Sequence, residues 1–159
     1  MRRNNMAAFK NWLDDIVDDI GRYKERFSKK DSKKYKLDFL LRIAKRVDSF
    51  YAVCGECQLF QGEITKIVKD LDGSVQSSEY AHKSYDNTIK RVVGHLKKKH
   101  KLVTQGTYMG IGTTISMAIG TVFGLALGNI GTGIAVGTGL GTGIGSALEA
   151  KAKKDGKTI

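Results

Sequence analysis

Proline is missing from all 159 residues, and residues 102–148 contain no Asp, Glu, Lys or Arg. The first absence removes the residue that stops helices most sharply, which favours an all-helical chain. The second is hard to reconcile with a water-facing surface, because more than a third of the remaining residues are charged. Cysteine is scarce as well. Two thiols in a segment expected to face the cytoplasm argue against a structural disulfide. Also missing are the nucleophile elbow G-x-S-x-G, the metalloprotease H-E-x-x-H and the phosphate cradle G-x-x-x-x-G-K-[ST]. Glu56 and Glu63 are isolated carboxylates expected at the surface, and no enzyme is expected.

What fills the uncharged stretch is glycine, at thirteen of 47 positions. At about 1.5 Å of rise per helical residue, such a length is too long for one bilayer crossing and suits two. Residues 107–128 form one apolar run and residues 130–148 a second, with Asn129 as the expected turn. Gly112, Ser116, Gly120, Gly124 and Gly128 recur every four residues, as do Gly133, Gly137, Gly141 and Gly145. Four-residue spacing puts each set on one helical face. A second small-residue track, Ala135, Gly139, Gly143 and Ala147, follows another face of the second run. In water a glycine inside a helix costs up to about 1 kcal/mol relative to alanine. In a bilayer the backbone has no better alternative than helix, and small faces let two helices approach closely. The second run is the weaker one, since seven glycines and three threonines dilute its apolar content.

Lysine-rich sequences flank both ends of the stretch. Lys97, Lys98, Lys99 and Lys101 precede it, and Lys151, Lys153 and Lys154 follow it. The positive-inside rule puts both flanks in the cytoplasm and makes the pair a transmembrane hairpin. No signal peptide is expected, because carboxylates from Asp14 onward interrupt any apolar core. The expected organisation is a cytoplasmic helical domain over 1–101, a membrane hairpin over 102–148 and a basic cytoplasmic tail over 149–159.

The first 101 residues carry most of the net charge of +11, which suits anionic lipid headgroups or nucleic acid. Met6, Phe9, Leu13, Ile16, Ile20, Tyr23 and Phe27 alternate at three and four residues, predicting an amphipathic helix over 5–27. Its opposite face carries Asp14, Asp15, Asp18 and Asp19, read as a solvated face. Residues 28–36 read as a polar connector. Helical spacing resumes from Leu37 to Val53, then from Leu59 to Leu71, ending at the Asp72-Gly73-Ser74 turn. A last helix from about Ser78 carries Tyr85, Ile89, Val92, Val93 and Leu96 inward. Four helices make a bundle the expected fold.

Cys54 and Cys57 have C-x2-C spacing; His95 and His100 have H-x4-H spacing. A turn through Gly55 lets both thiolates face one ion. Two imidazoles on a helix end complete a tetrahedron, giving a structural Cys2His2 zinc site with no open position. His82 is a substitute ligand on sequence grounds. The competing reading makes His95 and His100 part of a basic patch beside the membrane.

Residues 104–159, with MGIGTTISMAIGTVFGLALGN followed by GTGIAVGTGLGTGIGSALEAKAKKDGK, resemble the C-terminal module of bacterial glycine-zipper membrane proteins. The resemblance covers about a third of the chain. It implies a membrane-embedded, self-associating module and leaves the Cys/His residues outside it. The sequence therefore points to a small integral membrane protein that forms homo-oligomers through glycine faces. Pore formation or membrane disruption, as by a toxin or defence effector, extends that expectation, with Thr132, Thr138 and Thr142 facing water. The alternative is a membrane-tethered scaffold or nucleic-acid-binding module using Lys90, Arg91, Lys97, Lys98, Lys99 and Lys101. No small-molecule substrate is evident.

Overall fold

A computed structural model describes the backbone of residues 3–74 and 79–159, and the side chains of 12–71 and 82–159. Among the described residues the fold is all-helical, with seven helices and no strand: α1 Arg3–Arg26, α2 Lys29–Lys34, α3 Leu37–Ser49, α4 Gly55–Ser74, α5 Glu79–Lys99, α6 Thr107–Ala126 and α7 Ile130–Lys154. The chain divides into two compact units, Met1–His100 and Lys101–Ile159.

In the first unit α3 packs on α1, α4 and α5. Leu37, Leu40, Ile43, Ala44 and Val47 are its buried face, repeating at three and four residues as an amphipathic helix requires. Ile16, Ile20 and Tyr23 of α1 meet it, with Ile64, Val68 and Leu71 of α4 and Val92 and Leu96 of α5. Met6 and Phe9, the start of the α1 stripe, lie outside the described side chains. Asp14, Asp15 and Asp18 are exposed, and Asp19 pairs with Arg22 one turn on.

Three details depart from the sequence pattern. Residues 28–36 contain a short helix instead of a plain connector. Ser28 caps it by accepting from the Asp31 N–H at 3.1 Å, and Lys36 turns the chain into α3 at a φ of 47°. Tyr35 in that segment is buried, and its carbonyl accepts from the Tyr85 hydroxyl at 2.6 Å. Burial raises the Tyr85 phenol above its ordinary range, so it stays a donor. Helix α4 also continues through Asp72 and Gly73 to Ser74, where a turn was expected. Leu59, expected inward, is exposed together with Val53, so among the described residues no element covers that side of the α4 start.

The second unit is built on backbone contact. A Cβ added at Gly112 would lie 2.7 Å from the Gly141 oxygen, and one at Gly124 would lie 2.8 Å from the Asn129 oxygen. At Gly120, Gly133, Gly137 and Gly141 the facing backbone or Ser116 is nearer still, and Gly145 abuts Tyr108 and Met109. The pairing order makes α6 and α7 antiparallel. Gly128 leaves the expected packing row. It stands beyond the end of α6 with a φ of 76° and open space around it, which makes it the turn residue. Asn129 follows as the cap of α7, accepting from the Thr132 N–H at 3.1 Å.

Helix α7 does not stop at Leu148 but continues to Lys154, so the first residues of the basic tail, 149–154, are helical. Glu149 caps the start of α6, accepting from the Gly106 N–H at 2.7 Å and the Tyr108 N–H at 3.2 Å. Beyond α7 the chain returns alongside Val103. The Val103 N–H donates to Lys157 and the Ile159 N–H donates to Val103, each at 2.8 Å. Leu102, Ala152 and Ile159 are buried together in this clasp.

Open space surrounds Gly139 and Gly143, which gives an internal control. Gly120→Ala or Gly137→Ala is expected to destabilise the α6–α7 pair by about 1–3 kcal/mol, the usual cost of overpacking. Gly139→Ala and Gly143→Ala should be neutral or stabilise it by up to about 1 kcal/mol. Thermal unfolding in detergent, followed by circular dichroism, separates the two classes.

Candidate metal centre

Both thiols belong to the start of α4. Cys54 immediately precedes the helix, its carbonyl accepting from the Gln58 N–H at 3.2 Å, and Cys57 lies in the first turn. A helix N-terminus favours negative charge, so a thiolate is better tolerated there than in the middle of a helix. His95 comes from the last turns of α5. His100 follows the end of that helix, its N–H donating to the Leu96 carbonyl at 3.2 Å.

These four residues, chosen by spacing, meet inside the first unit. One donor atom from each lies within 4.8 Å of every other. Cys54 Sγ is 3.4 Å and Cys57 Sγ 3.6 Å from His95 Nε2. Cys57 Sγ is 3.4 Å from His100 Nε2, and the two Nε2 atoms are 3.2 Å apart. A tetrahedral zinc with bonds of about 2.3 Å to sulfur and about 2.0–2.1 Å to nitrogen requires S···N near ~3.5 Å and N···N near ~3.3 Å. The donor set matches both separations. Both cysteines are free thiols and buried. His82, the alternative ligand, is elsewhere: its ring meets the Tyr35 ring edge-on, with centroids 5.5 Å apart.

The surroundings orient the ligands. Glu56 Oε2 is 2.9 Å from His95 Nδ1, so this carboxylate holds the proton on Nδ1 and leaves the Nε2 lone pair facing the thiols. The His100 ring stacks on Phe50 with centroids 3.9 Å apart, and His95 leans on Phe60 at 5.2 Å. Sequence reasoning passed over Glu56 as an isolated surface carboxylate. Its place between the two cysteines, at the same helical turn, was the available signal.

Without a cation the pocket disfavours the thiolate. Burial, and then the Cys54 thiol beside it, push Cys57 up to about 12. Burial, then His95 and Lys99, lower the His100 imidazole, which favours its neutral, ligating form. A divalent cation held by Cys54, Cys57, His95 and His100 would favour the thiolate form of its sulfur ligands. A cation bound by these four donors would have every tetrahedral position filled by a side chain, the closed form of structural sites.

The basic residues expected to flank the membrane are exposed: Lys97, Lys98 and Lys99 at the end of α5, Lys101 at a φ of 55°, and Lys151, Lys153 and Lys154 at the end of α7. Among the described residues one helix, Thr107–Ala126, is long and apolar enough to cross a membrane. Comparison of the chain with family models, with curated proteins and with solved structures finds no match in any of the three.

The protein is expected to take up one zinc per chain, and cobalt(II) in its place should give the visible bands of a tetrahedral S2N2 centre. Removing one ligand of a centre worth about 10–16 kcal/mol forfeits roughly 3 kcal/mol, so Cys57→Ser should weaken binding by about a hundredfold or more. Glu56→Gln should weaken it by about 10–100-fold. Because the Cys57 thiol starts protonated, loading releases a proton from it and affinity rises with pH through the neutral range. Competition with a chromophoric chelator at several pH values measures all three.

Proposed function

We propose that the chain is a small integral membrane protein in which a zinc-stapled helical domain is carried by a glycine-faced helical hairpin. The observation that carries this reading is the inverted distribution of side chains on α6 and α7. The helices touch through Gly120, Gly124, Gly137, Gly141 and Gly145, all buried, while the large apolar residues point outward. Ile111, Ile115, Ile119, Phe123 and Leu125 of α6 are exposed, as are Val136, Leu140 and Ile144 of α7. Outward apolar side chains over inward glycines suit hydrocarbon as the surrounding medium, where small faces drive helix association. In water the same surface would be far larger than a monomer ordinarily exposes.

The resemblance of residues 104–159 to glycine-zipper modules supports the same reading. It extends it to self-association, with the second track of α7, Ala135, Gly139, Gly143 and Ala147, available to another copy. Helix α7 is too dilute in apolar residues to insert alone and enters paired with α6. The lysine flanks place both ends of the hairpin in the cytoplasm. Threonines on α7 would face water in an oligomeric pore, although Thr142 already meets Thr113 across the pair at 3.1 Å.

Two measurements test this. The protein should pellet with membranes and resist alkaline wash; release into the wash would exclude insertion. If the oligomer conducts, liposomes should release trapped dye, and Gly137→Leu with Gly141→Leu should abolish release by separating the helices. Intact vesicles with the unsubstituted protein would leave anchoring as the function.

A further inference from the structure

Beside the metal centre, the first unit has a groove of about 680 Å³ whose walls include Lys90, Arg91, Lys98 and Lys99 of α5. Arg91, Gly94, His95 and Lys98 are related by steps of three and four residues (91 to 94 and 95, and both of these to 98) and so share one helical face. Gly94 leaves the middle of that face bare, with nothing within 4 Å of where a Cβ would stand. Glu56 is the one carboxylate in the lining, and it is engaged by His95. Arg91 pairs with Glu63, but Lys90, Lys98 and Lys99 have no ion-pair partner among the described residues. Three ammonium groups without an ion-pair partner among the described residues therefore line one open groove, where charges of one sign add to a positive potential.

We propose that this groove binds a phosphate ester, presented by an anionic lipid headgroup or supplied as free phosphate. The chemistry is that of point cations around a recess. Lysine holds phosphate oxygens as a flexible ammonium, and the bare backbone at Gly94 lets a tetrahedral oxyanion approach the helix surface. Glycine is the residue that permits such an approach. The groove also borders the metal centre through Glu56 and His95, so an occupant lies against the carboxylate that orients one zinc ligand.

The lipid source rests on the membrane insertion proposed above, and the test separates the two. Full-length protein is partitioned onto vesicles of phosphatidylcholine alone and onto vesicles containing one-third phosphatidylglycerol. Binding to the neutral vesicles reports insertion; the ratio of anionic to neutral binding reports the groove. At about fivefold per lysine near an anionic surface, Lys90→Gln, Lys98→Gln and Lys99→Gln together should lower that ratio by about a hundredfold. Lys29→Gln, Lys30→Gln and Lys33→Gln on α2 remove the same charge elsewhere and should leave it unchanged. If both triple variants lose the preference equally, or neither does, the groove is overturned and only net charge remains. Saturable movement of the Gly94 and His95 amide resonances by inorganic phosphate, absent in the groove variant, would assign the site to free phosphate. A duplex oligonucleotide that displaces vesicles through the same three lysines would overturn the phosphate-ester assignment in favour of nucleic acid.

Discussion

Four soft donor atoms within 4.8 Å of one another are a liability until a cation joins them. Two thiols and two imidazoles brought this close cannot satisfy one another well, since sulfur is a weak partner in hydrogen bonding. Yet the first unit brings three of its parts to them. The start of α4, the end of α5 and the ring of Phe50 after α3 all converge there. A unit of about a hundred residues buries a modest core, and a structural zinc worth roughly 10–16 kcal/mol is comparable to the whole stability of such a domain. The metal reading therefore bears on the integrity of the unit as much as on any chemistry at the site.

The second unit solves a different problem with the opposite material. Its contact surface contains almost no side chains, so helix association there costs little rotamer entropy and gains little from burial. Close approach of backbones makes most of the contact, beside Ser116 and the Thr113–Thr142 pair, and the outward Ile, Leu, Val and Phe residues are left to the surroundings. The first unit follows the ordinary rule, with branched and aromatic residues inward. One chain thus carries two cores of inverse composition, divided at His100.

Much of this was legible in the sequence because it depends on spacing alone. The Cys and His pairs, the four-residue glycine rows and the three-four stripe of α3 are periodic, and period survives without knowledge of the partner. What was not legible depends on partners distant in the chain. Tyr35 is buried because Tyr85, fifty residues on, donates to its carbonyl. Leu59 is exposed because α4 turns that side away from its neighbours, although its local pattern looks inward. Glu56 gains its role from a histidine on another helix. Glu149 looked like the first residue of a polar tail, but the N–H groups it caps belong to a helix that starts more than forty residues earlier.

That cap has a consequence for alignment. Rows of small residues repeating every four positions are nearly symmetric under a shift of one step, about 6 Å along the axis. Displaced by a step, most glycines of α6 would still meet glycines of α7, so the interface alone distinguishes its registers poorly. What removes the degeneracy sits at the two ends: the Gly128–Asn129 turn at one, and Glu149 with the Val103 bridge at the other. Their few hydrogen bonds act as the detent of a ratchet. The glycines determine how closely the helices lie, and the ends decide which step they occupy.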